Sequence, residues 1–166
     1  MGSADSQPVR NMDKRTARRE YRSQFENACD HYREVNAHLM TRGSSDPPAD
    51  ISKESKIRVY SRKRPIFKRE IDDGEFDCVT CLDDGIIVVH DARMKNDMIH
   101  MMMKHNEFKF YHTFNENATN ENVYDHSVSS IVKNAVLEQS HSTCMVYGQT
   151  GSGVWYGVVC SDFCTL

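Results

Sequence analysis

The sequence predicts an α/β fold, a mixed sheet flanked by helices, with an amphipathic helix and a linker ahead of it. Three observations lead there. Apolar residues near the N-terminus recur at helical spacing; short apolar runs after residue 56 have the length and alternation of strands; and the last ordered segments read strand, helix, strand, glycine loop. That order is the one a phosphate-binding α/β domain uses. With 166 residues the chain holds one ordinary domain.

Between Asn11 and Arg42, Tyr21, Phe25, Ala28, Tyr32, Val35 and Leu39 step by four and three, which lays one stripe along a helix. Arg18, Arg19, Glu20, Arg22, Arg33 and Glu34 fall on the remaining faces. Three heptads suit a short coiled-coil seam, and so a dimer, or an amphipathic helix docked on a neighbouring domain. Gly43-Ser44-Ser45-Asp46-Pro47-Pro48 ends it, because consecutive prolines remove N–H donors and force extended backbone. Residues 43–55 are the linker, and residues 1–10 are expected to be disordered.

Lys56–Tyr60 alternates polar and apolar residues up to Pro65 and predicts a strand. Cys78–Leu82 and Gly85–His90 predict two short strands turning at Asp83-Asp84-Gly85. In Met94–His105, Met98, Met101 and Met102 fall at helical spacing, so a helix is expected there, its methionines filling core or forming a forgiving contact surface. Glu107–Phe114 alternates as a strand. Asn115–Asn122 supplies turn and N-cap side chains to a helix marked by Val123, Val128, Ile131, Val132, Ala135 and Val136. Thr143–Tyr147 then predicts a buried strand running into Gly148-Gln149-Thr150-Gly151-Ser152-Gly153.

Composition narrows the function. The formal charge is −3, with 39% hydrophobic residues and a mean hydropathy of −0.66, so the chain as a whole is not a basic nucleic-acid binder. The first 70 residues nonetheless carry net +6 and the rest net −9. No apolar run approaches the roughly 18 residues of a spanning helix, and Met1–Arg10 lacks the apolar stretch of a secretory signal. A cytosolic or nuclear chain without a membrane anchor is expected. Cys78-x-x-Cys81 has a zinc or redox spacing, but no second pair at a matching spacing completes a zinc site, so free thiols are expected. His100 and His105, five apart, are poorly spaced for two ligands on one helix face, and no metal site is assigned.

A phosphate-binding loop needs Gly, four residues, Gly, then Lys and Ser or Thr: curved backbone N–H groups, a cation and a magnesium ligand. Gly148 and Gly153 have the spacing, whereas Val154 and Trp155 stand where Lys and Thr belong. Val146–Gly153 resembles the strand and P-loop of kinesin motor domains. Arg62-Lys63-Arg64-Pro65 is similar to the adenine-contacting Arg-x-Arg-Pro of that family, Lys109–Phe114 to the strand before the first motor helix, and Asn122-Val123-Tyr124 to the start of that helix. The resemblance covers about residues 56–153 and implies an incomplete kinesin-type P-loop NTPase fold. By it, Arg62, Arg64, Pro65 and Tyr124 flank the base of ATP, Gly148, Gln149, Thr150, Gly151, Ser152 and Gly153 wrap its phosphates, and magnesium accompanies them.

Arg62–Pro65, Glu70-Ile71-Asp72, Val88-Val89-His90 and Lys95-Asn96-Asp97 further resemble kinesin-13, the internal-motor kinesins that depolymerise microtubules. The resemblance implies that Lys95, Asn96 and Asp97 meet tubulin, with Asn96 departing from the valine of the family's Lys-Val-Asp. It makes residues 11–42 a neck, basic enough to suit acidic tubulin, and implies a place on microtubules and spindle in the cytoplasm. The paired serines of switch I and the Asp-Leu-Ala-Gly of switch II do not occur in these residues, so no hydrolysis is expected of this chain. Residues 154–166 resemble nothing in a motor. An intron read through, a frameshift, a truncated isoform or a terminal strand Val154–Val159 each accounts for that tail.

Overall fold

The computed structural model describes residues 13–40, 57–82, 85–95, 100–139 and 141–148. The expected disordered N-terminus, the linker, the Asp83-Asp84 turn, Asn96-Asp97, Gln149–Gly153 and the tail lie outside them. The chain divides into two compact units, one of Met1–His38, Ile66–Val79 and Val88–Glu107, the other of Leu39–Pro65, Thr80–Ile87 and Phe108–Leu166.

In the first unit, α1 (Lys14–Glu20) and α2 (Arg22–Val35) follow one another with a single-residue break at Tyr21. Backbone bonds carry across it, Tyr21 N–H to the Ala17 carbonyl and Phe25 N–H to the Tyr21 carbonyl. Asp13 starts α1 by accepting from the Thr16 N–H at 3.1 Å, one of the donors that a helix start otherwise leaves unpaired. The buried residues of these helices are Ala17, Phe25 and Cys29; of the sequence stripe Phe25 alone is buried, while Tyr21, Ala28 and Tyr32 are half-buried. Val35 and Leu39 are exposed, and the helix ends at Val35 with a single 3-10 turn, Ala37–Leu39, beyond it. Phe25 packs on Phe76, ring centroids 6.4 Å apart.

Charge holds α2 as firmly as its apolar face does. The half-buried Arg33 guanidinium donates to the carbonyls of Asp77 (2.8 Å) and Val79 (3.3 Å) and pairs with the Asp77 carboxylate at 3.1 Å. Arg22 donates to the Ile71 carbonyl at 2.9 Å, satisfying a carbonyl in the last turn of α3 (Lys68–Asp72). At the other end of α3, the Glu70 carboxylate accepts from the Phe67 N–H at 2.9 Å. Gly74, with φ of +86°, ends that helix where a side chain would be strained.

β2 (Val79–Leu82), β3 (Ile86–Met94) and β4 (Met101–Lys109) form a sheet in that order, each giving residues to both units. The helix expected over Met94–His105 is not formed: Met94 ends β3 and Met101–His105 lie in β4. Lys95 N–H donates to the His100 carbonyl at 2.8 Å, closing a hairpin in which His90 stands opposite His105. Methionine has no strong preference against a strand, and cross-strand pairing outweighs a short helical periodicity.

In the second unit β1 (Tyr60–Arg62) pairs in parallel with β5 (His112–Phe114), Tyr60 against His112 and Arg62 against Phe114. The strand expected over Lys56–Tyr60 thus begins later, and the one expected over Glu107–Phe114 is two, since β4 ends at Lys109. Gly85 lies beside the junction of the two. Its carbonyl accepts from Phe110 N–H at 2.8 Å, and its own Cα lies so near that chain that a Cβ would stand 2.4 Å from the Phe110 oxygen. All three residues of β5 are buried, and Thr113 Oγ1 donates to the Leu82 carbonyl at 3.4 Å.

α4 (Asn120–Val123) passes through a π-helical turn, Tyr124–Val128, into α5 (Ser129–Leu137). Ser127 and Ser129 hydroxyls and the His126 Nδ1–H all donate to carbonyls four residues back. Side-chain donors at those carbonyls compete with backbone N–H groups and widen the helix there. Thr143–Tyr147, expected as a buried strand, is irregular and exposed, Tyr147 at 99%.

Gly85→Ala is expected to lower stability by more than the ~1–2 kcal/mol that the left-handed conformation alone costs an L-residue, because the Phe110 carbonyl must also shift. A reduced urea midpoint with unchanged slope is the readout. Burial pushes the Cys29 thiol from 9.0 up to about 11. The native state then keeps a proton that the unfolded chain loses above pH 9, so Cys29 stabilises fully below that pH and its contribution fades toward pH 11. Between those limits the native chain should lose more stability than Cys29→Ala, read by urea titration.

Candidate functional site

The second unit gathers the Arg-Lys-Arg-Pro segment around the end of its parallel strand pair. Lys63 N–H continues the β1–β5 register by donating to the Phe114 carbonyl at 2.8 Å. Parallel pairing sends both strands the same way, so Arg62–Pro65 and Asn115–Thr119 leave the pair side by side.

Arg62 uses that adjacency. Its Nη1 donates to Asn120 Oδ1 at 2.8 Å and its Nη2 to the Ala118 carbonyl at 2.9 Å, so one planar guanidinium spans the turn into α4. Thr119 closes the helix start in a reciprocal box: its Oγ1 accepts from Asn122 N–H (3.2 Å), and Asn122 Oδ1 accepts from Thr119 N–H (3.1 Å). Asn115 Oδ1 accepts from Asn117 N–H at 3.0 Å within the same turn. Tyr124, half-buried, stands one turn into the helix at the start of the π-helical segment.

Lys63, which sequence reasoning did not single out, is the most enclosed cation here. Its Nζ lies 3.0 Å from Glu116 Oε2, and only 9% of its side chain is exposed. The alternation of a strand was the available signal: Lys63 lies opposite in phase to its arginine neighbours. Arg64 Nη1 donates to the Pro65 carbonyl at 3.0 Å, and Pro65 is exposed. Beneath them lies an aromatic layer. Tyr60 packs on Tyr111 (5.3 Å) and Phe114 (6.3 Å), and burial raises the Tyr60 pKa, which keeps the phenol neutral.

Arg62 thus reaches the turn before α4, Arg64 and Pro65 follow it in the chain, and Tyr124 stands one turn further along the helix. Gly148 is exposed in the irregular segment 141–148, and the remaining loop residues Gln149, Thr150, Gly151, Ser152 and Gly153 lie outside the described residues. Lys95 is exposed at the end of β3; Asn96 and Asp97 lie outside them too. Cys29, Cys78, Cys81 and Cys144 are not disulfide-bonded, and among the described residues no group of three His, Cys, Asp or Glu side chains could hold a metal. No helix among them is long and apolar enough to cross a membrane.

Residues 62–162, more than half of the chain, match the kinesin motor domain family. The chain belongs to that family. The kinesin match begins at Arg62 and runs past Gly153 into the tail. Among its relatives, the chain is 36% identical over 115 residues to the protein named Diatom spindle kinesin-1 of Cylindrotheca fusiformis, covering 69% of this chain and 18% of that one. It is 35% identical over 102 residues to Kinesin-like protein KIN-13A of Oryza sativa subsp. japonica, covering 61% of this chain and 12% of that one. The chain spans less than a fifth of the length of either kinesin relative.

The family implies a nucleotide with magnesium, and the donor set fits only half of it. Arg64 and the exposed Pro65 are groups of a kind that can pack on a base. At the phosphate end Val154 and Trp155 offer neither the cation nor the hydroxyl ligand that a magnesium-bound phosphate chain requires. No step of catalysis can be assigned to these residues.

Arg62→Ala removes two charge-assisted hydrogen bonds from the turn before α4 and should cost about 1.5–3 kcal/mol. Arg62→Lys should recover little of it, since an ammonium cannot span both acceptors. Denaturant titration of the three proteins checks this ordering.

Proposed function

We propose that this chain is part of an ATP-dependent microtubule motor or depolymerase of the kinesin-13, internal-motor type, and that these 166 residues alone do not hydrolyse ATP. The observation that supports the reading most is the Arg62–Pro65 segment, held at the end of β1 and tied by Arg62 to the turn that starts α4. A base packed there would rest on Arg64 and Pro65 with Tyr124 nearby, while Gly148–Gly153 would wrap the phosphates. Residues 11–42 serve as the neck, 43–55 as the linker, 56–153 as the beginning of the motor and 154–166 as a separate tail. Tubulin is the partner, met by Lys95, Asn96 and Asp97 and by the basic neck, on microtubules and spindle in the cytoplasm.

A second reading, a non-catalytic tubulin-binding fragment, is favoured by one observation: Val154 and Trp155 replace the cation and metal ligand of the loop. Both readings predict that the purified chain pellets with microtubules, less so at 200 mM than at 50 mM salt, as exposed charge contacts are screened. Lys95→Ala should weaken pelleting. Neither predicts microtubule-stimulated ATP turnover. Pelleting that responds to ATP supports the motor-type site, and indifference to ATP supports the bare binder. Failure to pellet at low salt would overturn both.

A further inference from the structure

The sheet of β2, β3 and β4 has two edges, and they differ. β2 is short and mostly buried, and its Leu82 bridges to Met40. β4 is the outermost strand on the other side, nine residues long, and none of them is buried. Met102 and Phe108 on it are 41% and 51% exposed. A long edge strand with exposed apolar side chains is a template for pairing with another chain.

The β3–β4 hydrogen bonds fix which groups that edge offers. At one end Lys95 N–H donates to the His100 carbonyl and at the other Phe110 N–H donates to the Gly85 carbonyl, so the antiparallel register is the same at both. In such a ladder successive residues turn their backbone groups toward and away from the neighbouring strand. Even-numbered residues of β4 therefore bond to β3, and Met101, Met103, His105, Glu107 and Lys109 turn N–H and C=O outward. Among the described residues none of these five makes a further backbone bond. The side chains alternate as well. Tyr32 stacks on His105 at 4.4 Å on one face, so Met102, Lys104, Asn106 and Phe108 lie on the other.

A second copy of the chain satisfies both patterns. Two copies related by a two-fold axis normal to the sheet run their β4 strands antiparallel, and outward backbone groups then meet outward backbone groups. His105 is the midpoint of Met101–Lys109, so the register centred there is the one that pairs the whole strand. It sets Met102 opposite Phe108 of the second copy, twice by symmetry, at the positions between hydrogen-bonded pairs where side chains come closest. Thioether against aromatic ring is a favourable contact. Lys104 then faces Asn106, and Glu107 faces Met103. Centring the register on Lys104 or Glu107 would instead set like charges face to face. We propose that this chain self-associates through β4, two copies joining their sheets edge to edge with His105 on the two-fold axis.

So short a contact makes a weak dimer, and the test is sedimentation velocity of the full chain from about 5 to 200 μM. The average mass should rise from the 19.1 kDa of one chain toward twice that value. Met102→Lys and Phe108→Glu, both at exposed positions, should each raise the dissociation constant about tenfold, because symmetry counts each loss twice. Combined in one chain they should restore association, since the new ammonium and carboxylate stand opposite one another. Amide exchange in the native chain decides the matter even if the variants do not fold: the N–H groups of Met101, Met103, His105, Glu107 and Lys109 should exchange more slowly as concentration rises. A chain that stays at 19.1 kDa throughout, single variants that associate like the native chain, a double variant no tighter than the singles, or five amides indifferent to concentration would each overturn the edge pairing.

Discussion

Parallel pairing of β1 with β5 is the constraint on which the candidate site depends. Two short strands in parallel cannot be joined by a tight turn, so residues 63–111 form the crossover between them. What the crossover gains is a fixed neighbourhood: the strand ends deliver Arg62 and the Ala118–Asn120 turn to one place. Burial of all of β5 holds that geometry, with Thr113 and Cys81 as internal polar contacts. Six residues of strand would be too little alone. The guanidinium of Arg62 and the Lys63–Glu116 pair add the directional restraint that three-residue strands lack.

The first unit solves a different problem with similar means. α2 is too short to be stable in water by propensity alone, so it must dock. It docks through a small apolar face, Phe25 and Cys29, and through cations that end on backbone carbonyls rather than on surface carboxylates alone. Arg33 and Arg22 terminate on the carbonyls of Asp77, Val79 and Ile71, the last of which also accepts from Gly74 N–H. A basic helix read only as a charge pattern looks like a surface for acidic partners. Two of its arginines are in fact occupied at home.

Membership in the kinesin motor domain family and the geometry of the second unit bear on the same residues from different directions. The match begins at Arg62, the residue whose side chain clamps the turn before α4. The π-helical turn just beyond it, at Tyr124–Val128, places Ser127 and Val128 inside and leaves Tyr124 half-buried near that turn.

The sequence by itself determined the local features: the helical face through Phe25 and Tyr32, the strands at Val79–Leu82 and Ile86–His90, the polar start of the helix after Thr119, and the Arg62–Pro65 and Gly148–Gly153 motifs. Each is encoded in neighbours a few residues apart. Tertiary structure decided where pairing partners lie. It turned Met101–His105 into a strand because β3 offers a ladder, and it left Thr143–Tyr147 irregular and exposed. It alone brought His90 against His105 and Arg62 against Asn120, contacts between residues far apart in sequence that no local periodicity can signal.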